Sequence, residues 1–306
     1  MTKENEVIDI FRRVFGQGLY DDVGFIRYGD KYCLFNIDTF VESSDAPPGM
    51  GYRHIGWKSV VSSISDIFVK GGKPVYLCIS LTLRSVDVNL IEDLALGLKE
   101  AAREYKLEIL KWDTNSSRDL SITVTSIGFS DKPPILRSGA KTGDIIVTTD
   151  YFGLEKLGLK ILLGEIKNID RNIGEKAVDR FLRPRINSDL YEEIFTNLHI
   201  NASIDSSDGL ARSLWEISRA SNKKIELINL PIHPILTSTG MYEEELIDYV
   251  LYGGEEYNGI FCIPEEEKGL SEKLGLIYLG KVREEGVGVF DHKGELIRDL
   301  GWLHSF

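Results

Sequence analysis

The chain has 306 residues, 42% apolar and 27% charged, enough for a substantial core in a two-domain globular protein. Its net charge of −12 excludes non-specific nucleic-acid binding, which needs basic patches to displace counterions. No apolar run approaches the roughly 18 residues of a membrane span, and Met1-Thr2-Lys3-Glu4-Asn5-Glu6 lacks the basic-then-apolar layout of a signal peptide.

In chain order, residues 5–15 carry the spacing of a short amphipathic helix, followed by strands at 23–27 and 32–37 around a hairpin turn at 28–31. Ala46-Pro47-Pro48-Gly49-Met50-Gly51 is a loop, and a helix runs from about Tyr52 to Lys70, stopped by Gly71-Gly72 and Pro74. A strand at 75–83, a helix at 90–105 and strands at 108–111 and 120–129 complete the first half. Asp131-Lys132-Pro133-Pro134 is the candidate linker, dividing the chain into 1–134 and 135–306. Beyond it the pattern predicts a strand at 145–149, helices at 153–163, 172–182 and 187–198, a strand at 202–205 and a helix at 210–218. Strands near 225–229, 257–263, 276–282 and 286–290 follow. This alternation gives an α/β (α+β) class. Cys33, Cys78 and Cys262 lie in apolar, strand-like contexts and read as reduced core thiols of a cytoplasmic protein.

Carboxylates recur where regular structure is expected to break: Asp21-Asp22, Asp38-Thr39, Ser65-Asp66, Asp113-Thr114-Asn115, Asp205-Ser206-Ser207-Asp208-Gly209 and Gly253-Gly254-Glu255-Glu256-Tyr257. A core tolerates such groups only with something positive among them, and hard cations such as Mg²⁺ take oxygen ligands and bring phosphates with them. Metal-dependent phosphate chemistry therefore leads, and bridging metals would let an acidic protein accept an anionic substrate. On the 52–70 helix, Val60, Val61, Ile64, Ile67 and Phe68 share a face, with Asp66 nearly opposite beside Ser59, Ser63 and Lys70. That second face is either solvated or turned across a cleft, where Asp66 would be a ready metal ligand. At 205–209, Ser207 or Asp208 suits a helix N-cap, yet one cap needs one such residue, and a helix start also favours phosphate.

Gly51-Tyr52-Arg53-His54-Ile55-Gly56-Trp57-Lys58-Ser59 nearly spells a P-loop, but Trp57 separates the second glycine from the lysine and no apolar strand precedes it. No GxGxxG fingerprint is present, and the five histidines lack zinc-ligand spacing.

Taken in order, these segments resemble the thiamine-monophosphate kinases, of the aminoimidazole ribonucleotide synthetase superfamily. The likeness runs through Tyr20-Asp21-Asp22, Ile37-Asp38-Thr39-Phe40-Val41, Lys58–Asp66 with Lys70-Gly71-Gly72-Lys73-Pro74, Leu136–Asp144, Leu182-Arg183-Pro184, Ile204–Leu210 and Tyr252–Tyr257. Glu42–Met50 is similar to the archaeal branch. The resemblance implies an aminoimidazole ribonucleotide synthetase-like fold, a homodimer whose N-terminal domains pair their sheets into a shared barrel, and transfer of the γ-phosphoryl of ATP to thiamine monophosphate. It further implies that Asp22, Asp38, Asp66, Asp113, Asp205 and Asp208 hold several Mg²⁺ ions, with Asp113, Asp205 and Asp208 central to catalysis. Asp21, Trp112, Arg137 and Ser207 would contact ATP, and Asp45, Glu255 and Trp302 would sit near the thiamine moiety. Cation–π attraction at Trp302 would contribute roughly 0.5–2 kcal/mol, unless Trp302–Phe306 is an apolar C-terminal anchor.

The chain departs from the family pattern where Gly-Gly-Asp-Thr becomes Lys111-Trp112-Asp113-Thr114, so that Trp112 either stacks on adenine or blocks it. Tyr20, Ser63, Asp150 and Asn258 also replace usual residues. A paralogue with another phosphoryl acceptor, or a non-catalytic nucleotide- or thiamine-binding protein, is the alternative. The selenophosphate synthetase reading fails for want of a cysteine before Cys33, and the hydrogenase-maturation reading for want of a cysteine-bearing tail.

Overall fold

The computed structural model describes residues 3–16 and 21–302. Tyr20 and the residues after Trp302 lie outside that range. The first half comprises α1 (Lys3–Phe15), β1 (Gly24–Tyr28), β2 (Lys31–Val41), α2 (Glu42–Asp45), α3 (Tyr52–Val69), β3 (Lys73–Leu83), α4 (Val88–Glu104), β4 (Glu108–Ser116) and β5 (Ser121–Ser130). The second comprises β6 (Ile145–Thr148), α5 (Leu154–Leu162), α6 (Arg171–Leu182), α7 (Ser188–Asn197), β7 (Ala202–Ser206), α8 (Leu210–Ser221), β8 (Lys223–Leu227), α9 (Pro234–Thr237), α10 (Glu243–Leu251), β9 (Asn258–Ile263), α11 (Lys268–Lys273), β10 (Ile277–Glu285) and β11 (Gly288–Asp291).

Two sheets result. The first has the order β1-β2-β5-β3-β4, antiparallel except for the β3–β4 pair. That parallel pair needs a crossover, which α4 supplies, with Asp87 capping its start through the amides of Asn89 and Leu90. The second has the order β11-β8-β10-β6-β9-β7. Alternation along β6 sends Ile145 and Val147 to one core and Ile146 to another, so both faces of this sheet are covered.

The helix α3 lies between the sheets. Val60, Val61, Ile64 and Phe68 pack with Ile122 and Val124 of the first sheet and with Tyr191 and Phe261 of the second half, in one continuous core. The solvated reading of its polar face is overturned: Ser59, Ser63, Ser65 and Lys70 are all buried. Those groups are satisfied across the chain, Ser65 Oγ on Asp205 and Lys70 Nζ on the Ser203 carbonyl. A stripe that looks solvated in one helix is here the surface that meets the other half of the molecule.

Several sequence expectations need adjusting. Strand β4 continues past Lys111 to Ser116 and β2 past Ile37 to Val41, so Asp38 and Asp113 lie inside strands, and Asp66 inside a helix, rather than at breaks. The apolar stretch before Gly253 is α10, started by a capping arrangement between Tyr242 and Glu245. The cysteines are free as expected, with Cys33 and Cys262 buried and Cys78 half-buried. No helix among the described residues is long and apolar enough to cross a membrane.

Candidate active site: a carboxylate cleft between the two halves

Three backbone segments bring the acids together. Strand β7 is buried along its whole length and ends at Ser206, leaving Asp205 facing α3. The turn after it reaches α8 through Gly209, which occupies the N-cap position at φ +104° with no side-chain capping bond. The capping reading of Ser207 and Asp208 is therefore corrected: the cap is the glycine. A side chain at Gly209 would also collide with the Gly253 carbonyl, so this turn and the 253–257 loop require each other. The loop is sewn to the turn by Glu255 N–H on the Ser207 carbonyl (2.7 Å) and Tyr257 N–H on the Ser206 carbonyl (2.9 Å).

At the centre, Asp22, Asp66 and Asp205 each place a carboxylate oxygen within 4.8 Å of the others. Asp66 accepts from Asn36 Nδ2 at 2.6 Å and Asp205 from Ser65 Oγ at 2.7 Å. Behind them Lys70, fully buried, reaches Asp21 at 2.7 Å and Asp22 at 2.6 Å. Arg137 donates Nε to Asp22 at 2.6 Å and its backbone N–H to Asp21 at 2.8 Å.

The acids split electrostatically. Burial alone would raise Asp22, but Arg137 and Lys70 hold its carboxyl below the ordinary range. Asp205 is pushed up to about 7 by burial and then by the charges of Asp22 and Asp208. Asp66 is driven well up by burial and by Asp205, Asp22 and Asp38. Asp38 is raised by burial, with Glu255 and Asp45 adding to the effect. The donor set is all hard oxygen, converging and short of positive charge on the Asp66–Asp205 side, which fits Mg²⁺.

The expected site residues divide accordingly. Asp21, Asp22, Asp38, Asp66, Arg137, Asp205, Ser207 and Asp208 gather around this cleft, and Glu255 and Asp45 lie on the Asp38 side. Asp45 accepts the Val41 amide at 2.7 Å and Ser44 Oγ at 2.8 Å. Trp302 is half-exposed, its amide on the Asp208 carbonyl at 3.1 Å. The structure does not bring Asp113 to the cluster. The pairing row Asp38–Val124–Ile79–Trp112 lies on the α3 side of the first sheet, while Thr39–Thr123–Ser80–Asp113 lies on the other face. Asp113 is exposed on that outer face, three inter-strand steps from β2, or about 14 Å. Trp112, half-exposed on edge strand β4, is likewise remote from the acids.

Sequence reasoning did not single out Lys58 or Lys70 as site residues, although both are buried and ion-paired to site carboxylates. The signal available for Lys70 was its place on the same helix stripe as Asp66. For Lys58 it was submerged in the near-P-loop.

Residues 20–130 match the family model described as AIR synthase related protein, N-terminal domain. The thiamine-monophosphate kinase of Pyrococcus horikoshii is 35% identical, covering 99% of this chain and 97% of that protein. The thiamine-monophosphate kinase of Nitrosopumilus maritimus is 32% identical, covering 98% of each. Among solved structures, AaThiL complexed with AMPPCP and TMP superposes with a TM-score of 0.88 at 28% identity, over 98% of this chain and 96% of that one. With an AIR synthase-like fold of two sheets and relatives spanning it from end to end, the chain belongs to the thiamine-monophosphate kinase family.

Proposed function

We propose that this protein transfers the γ-phosphoryl group of ATP to the phosphate of thiamine monophosphate, forming thiamine diphosphate and ADP. The bond from the γ-phosphorus to the ADP oxygen breaks as an acceptor phosphate oxygen bonds to that phosphorus. The observation that carries the reading is the convergence of Asp22, Asp66 and Asp205 within 4.8 Å, in a chain similar throughout to thiamine-monophosphate kinases. Asp22, Asp66 and Asp205, with Asp38 and Asp208 beside them, would hold Mg²⁺, which when bound neutralises phosphate oxygens and aligns the two anions. The chain's own work is placement: Lys70 and Arg137 keep Asp22 ionised, and Ser65 and Asn36 aim Asp205 and Asp66. A phosphate dianion is already nucleophilic, so no general base is required. Asp45, Glu255 and Trp302 form the acceptor end, and Arg137 and Ser207 the nucleotide end.

The working unit in this reading is a cytoplasmic homodimer with its units at 1–134 and 135–306. Two observations support dimerisation through the first sheet. Its outer face exposes Ile26 and Ile37 and carries half-buried Phe35, Ile127 and Phe129. Asp113 also lies on that face, so a site would receive it across the dimer rather than within one chain.

The test is mass-spectrometric detection of thiamine diphosphate from ATP, Mg²⁺ and thiamine monophosphate. Product dependent on both metal and protein supports the assignment. No product from folded protein, beside an active control kinase, turns the reading to another phosphoryl acceptor or to a binding role.

A further inference from the structure

Lys58 is a second buried lysine in the cleft, and the acid cluster does not use it. Its side chain is 2% exposed, with Nζ 2.5 Å from Glu255 Oε2, 3.3 Å from the Phe181 carbonyl and 3.7 Å from the centroid of the Phe181 ring. An ammonium group removed from water persists only with its donors engaged, and these three partners engage them. Lys58 therefore ties α3 and the end of α6 to the 253–257 loop, segments far apart in sequence.

Glu255 is the most accessible member of that set, its side chain 32% exposed. The same Oε2 accepts from Tyr257 Oη at 2.9 Å, so two donors fix one oxygen. Both residues sit in the left-handed region, Glu255 at φ +70° and Tyr257 at φ +54°, a conformation that neither favours and that its surroundings must impose. A clamp between α3 and α6 does not need Lys58. Next to it Trp57 Nε1 already donates to the Pro184 carbonyl at 2.7 Å, and the Arg183 guanidinium stacks over the Trp57 ring at 3.9 Å. A methionine would cover Phe181 equally well without a desolvation cost, but it would not hold a carboxylate.

We infer that Lys58 is a positioning residue for the acceptor end of the cleft. It neutralises and orients Glu255, with Tyr257 as the second support, so that Glu255 presents its remaining oxygen to an acceptor bearing a cationic ring or amino donors. The identity of that acceptor rests on the proposed function; the positioning of Glu255 does not.

The experiment combines Lys58→Met, Glu255→Gln, the double variant and Tyr257→Phe in the full chain, with KM for thiamine monophosphate, KM for ATP, kcat and Tm measured on each. Lys58→Met and Glu255→Gln are each expected to raise KM for thiamine monophosphate about tenfold, with kcat and KM for ATP within about twofold. The double variant should be no worse than the poorer single, because both changes act through one contact. Tyr257→Phe, nearly isosteric, should raise the same KM about threefold and serves if Lys58→Met fails to fold. Additive losses, or equal losses at the ATP end and in kcat, would make Lys58 a structural clamp and overturn the inference. If wild-type protein makes no thiamine diphosphate, the proposed function fails instead. The Tm cycle then decides the positioning: non-additive shifts of Lys58→Met and Glu255→Gln sustain it, and additive shifts overturn it.

Discussion

Two of the places in which the described residues bury acids are treated differently. In the cleft, Asp22, Asp66 and Asp205 converge, Lys70 and Arg137 stand behind Asp22, and Asp66 remains half-buried at the solvent side. Beneath the 253–257 loop, Glu256 is 2% exposed, and no side chain among the described residues hydrogen-bonds its carboxylate, which faces the backbone amides of Glu256 and Gly153. Its neighbour Glu155 is equally buried, with one oxygen on Arg180 Nε at 2.8 Å and the other unpartnered. Burial, and then the charge of Glu155, drives Glu256 well above the ordinary carboxylate range. Raised pKa values alone therefore do not mark a site. The cleft pushes its acids apart, one held low and others raised, and leaves a side from which a cation can arrive. The Glu256 pocket has one arginine, already shared by Glu155 and Asp150, and a proton is the simplest counter-charge.

The contrast is broken most severely by Asp205→Asn. In the cleft this removes a convergent ligand, and turnover should fall at least about a hundredfold, while Tm in the absence of Mg²⁺ holds or rises because a strained buried charge is gone. Near-normal turnover in a steady-state assay would reduce the cluster to a structural feature. A smaller effect is expected from pH. Between about pH 4 and 7 the folded state keeps the Asp205 proton that the unfolded chain has released, so the folded state binds more protons. Metal-free stability should then fall as pH rises through that window, and Mg²⁺ should restore most at the high end. A metal-free Tm that climbs steadily from pH 4 to 7 in scanning calorimetry would contradict the raised pKa of Asp205.

Glu256→Gln sharpens the comparison from the other side. The amide mimics the protonated acid, so Tm should match wild type near pH 5 and exceed it near pH 8 by about 2–4 °C. Turnover should change less than about threefold, unlike a substitution at Asp22, Asp66 or Asp205. The smallest stability effect belongs to Ile37→Asp on the outer sheet face, 67% exposed in the isolated chain. Its folded stability should shift by no more than about 0.5 kcal/mol, whereas a dimer paired through this face should run as a monomer on size-exclusion chromatography. An unchanged elution position would place the partner elsewhere.

Much of the scaffold was legible from local periodicity. The 52–70 helix, the two early strands and the alternation after residue 145 reappear within a few residues of their expected bounds. Those patterns reflect forces between residues near in sequence. Missing from them was α10, whose acidic first turn and apolar end do not repeat long enough to stand out. Among candidate site residues, Asp205 and Asp208 could be placed at the strand-to-helix turn from sequence, because glycine and a change of period mark it. Asp113 was grouped with the others by residue type and by the family resemblance; which sheet face it occupies depends on register, where one step reverses every side chain.

By itself, then, the chain determined most of its element order, its acidic motifs and the family those motifs compose, since each depends on residue type and short spacing. Only the tertiary structure decided that the polar stripe of α3 is buried, that Lys58 and Lys70 are counter-ions, and that Asp113 stands apart from Asp22, Asp66 and Asp205. Charges buried by distant segments must be paired where the chain happens to bring them, and that pairing is a property of packing in three dimensions.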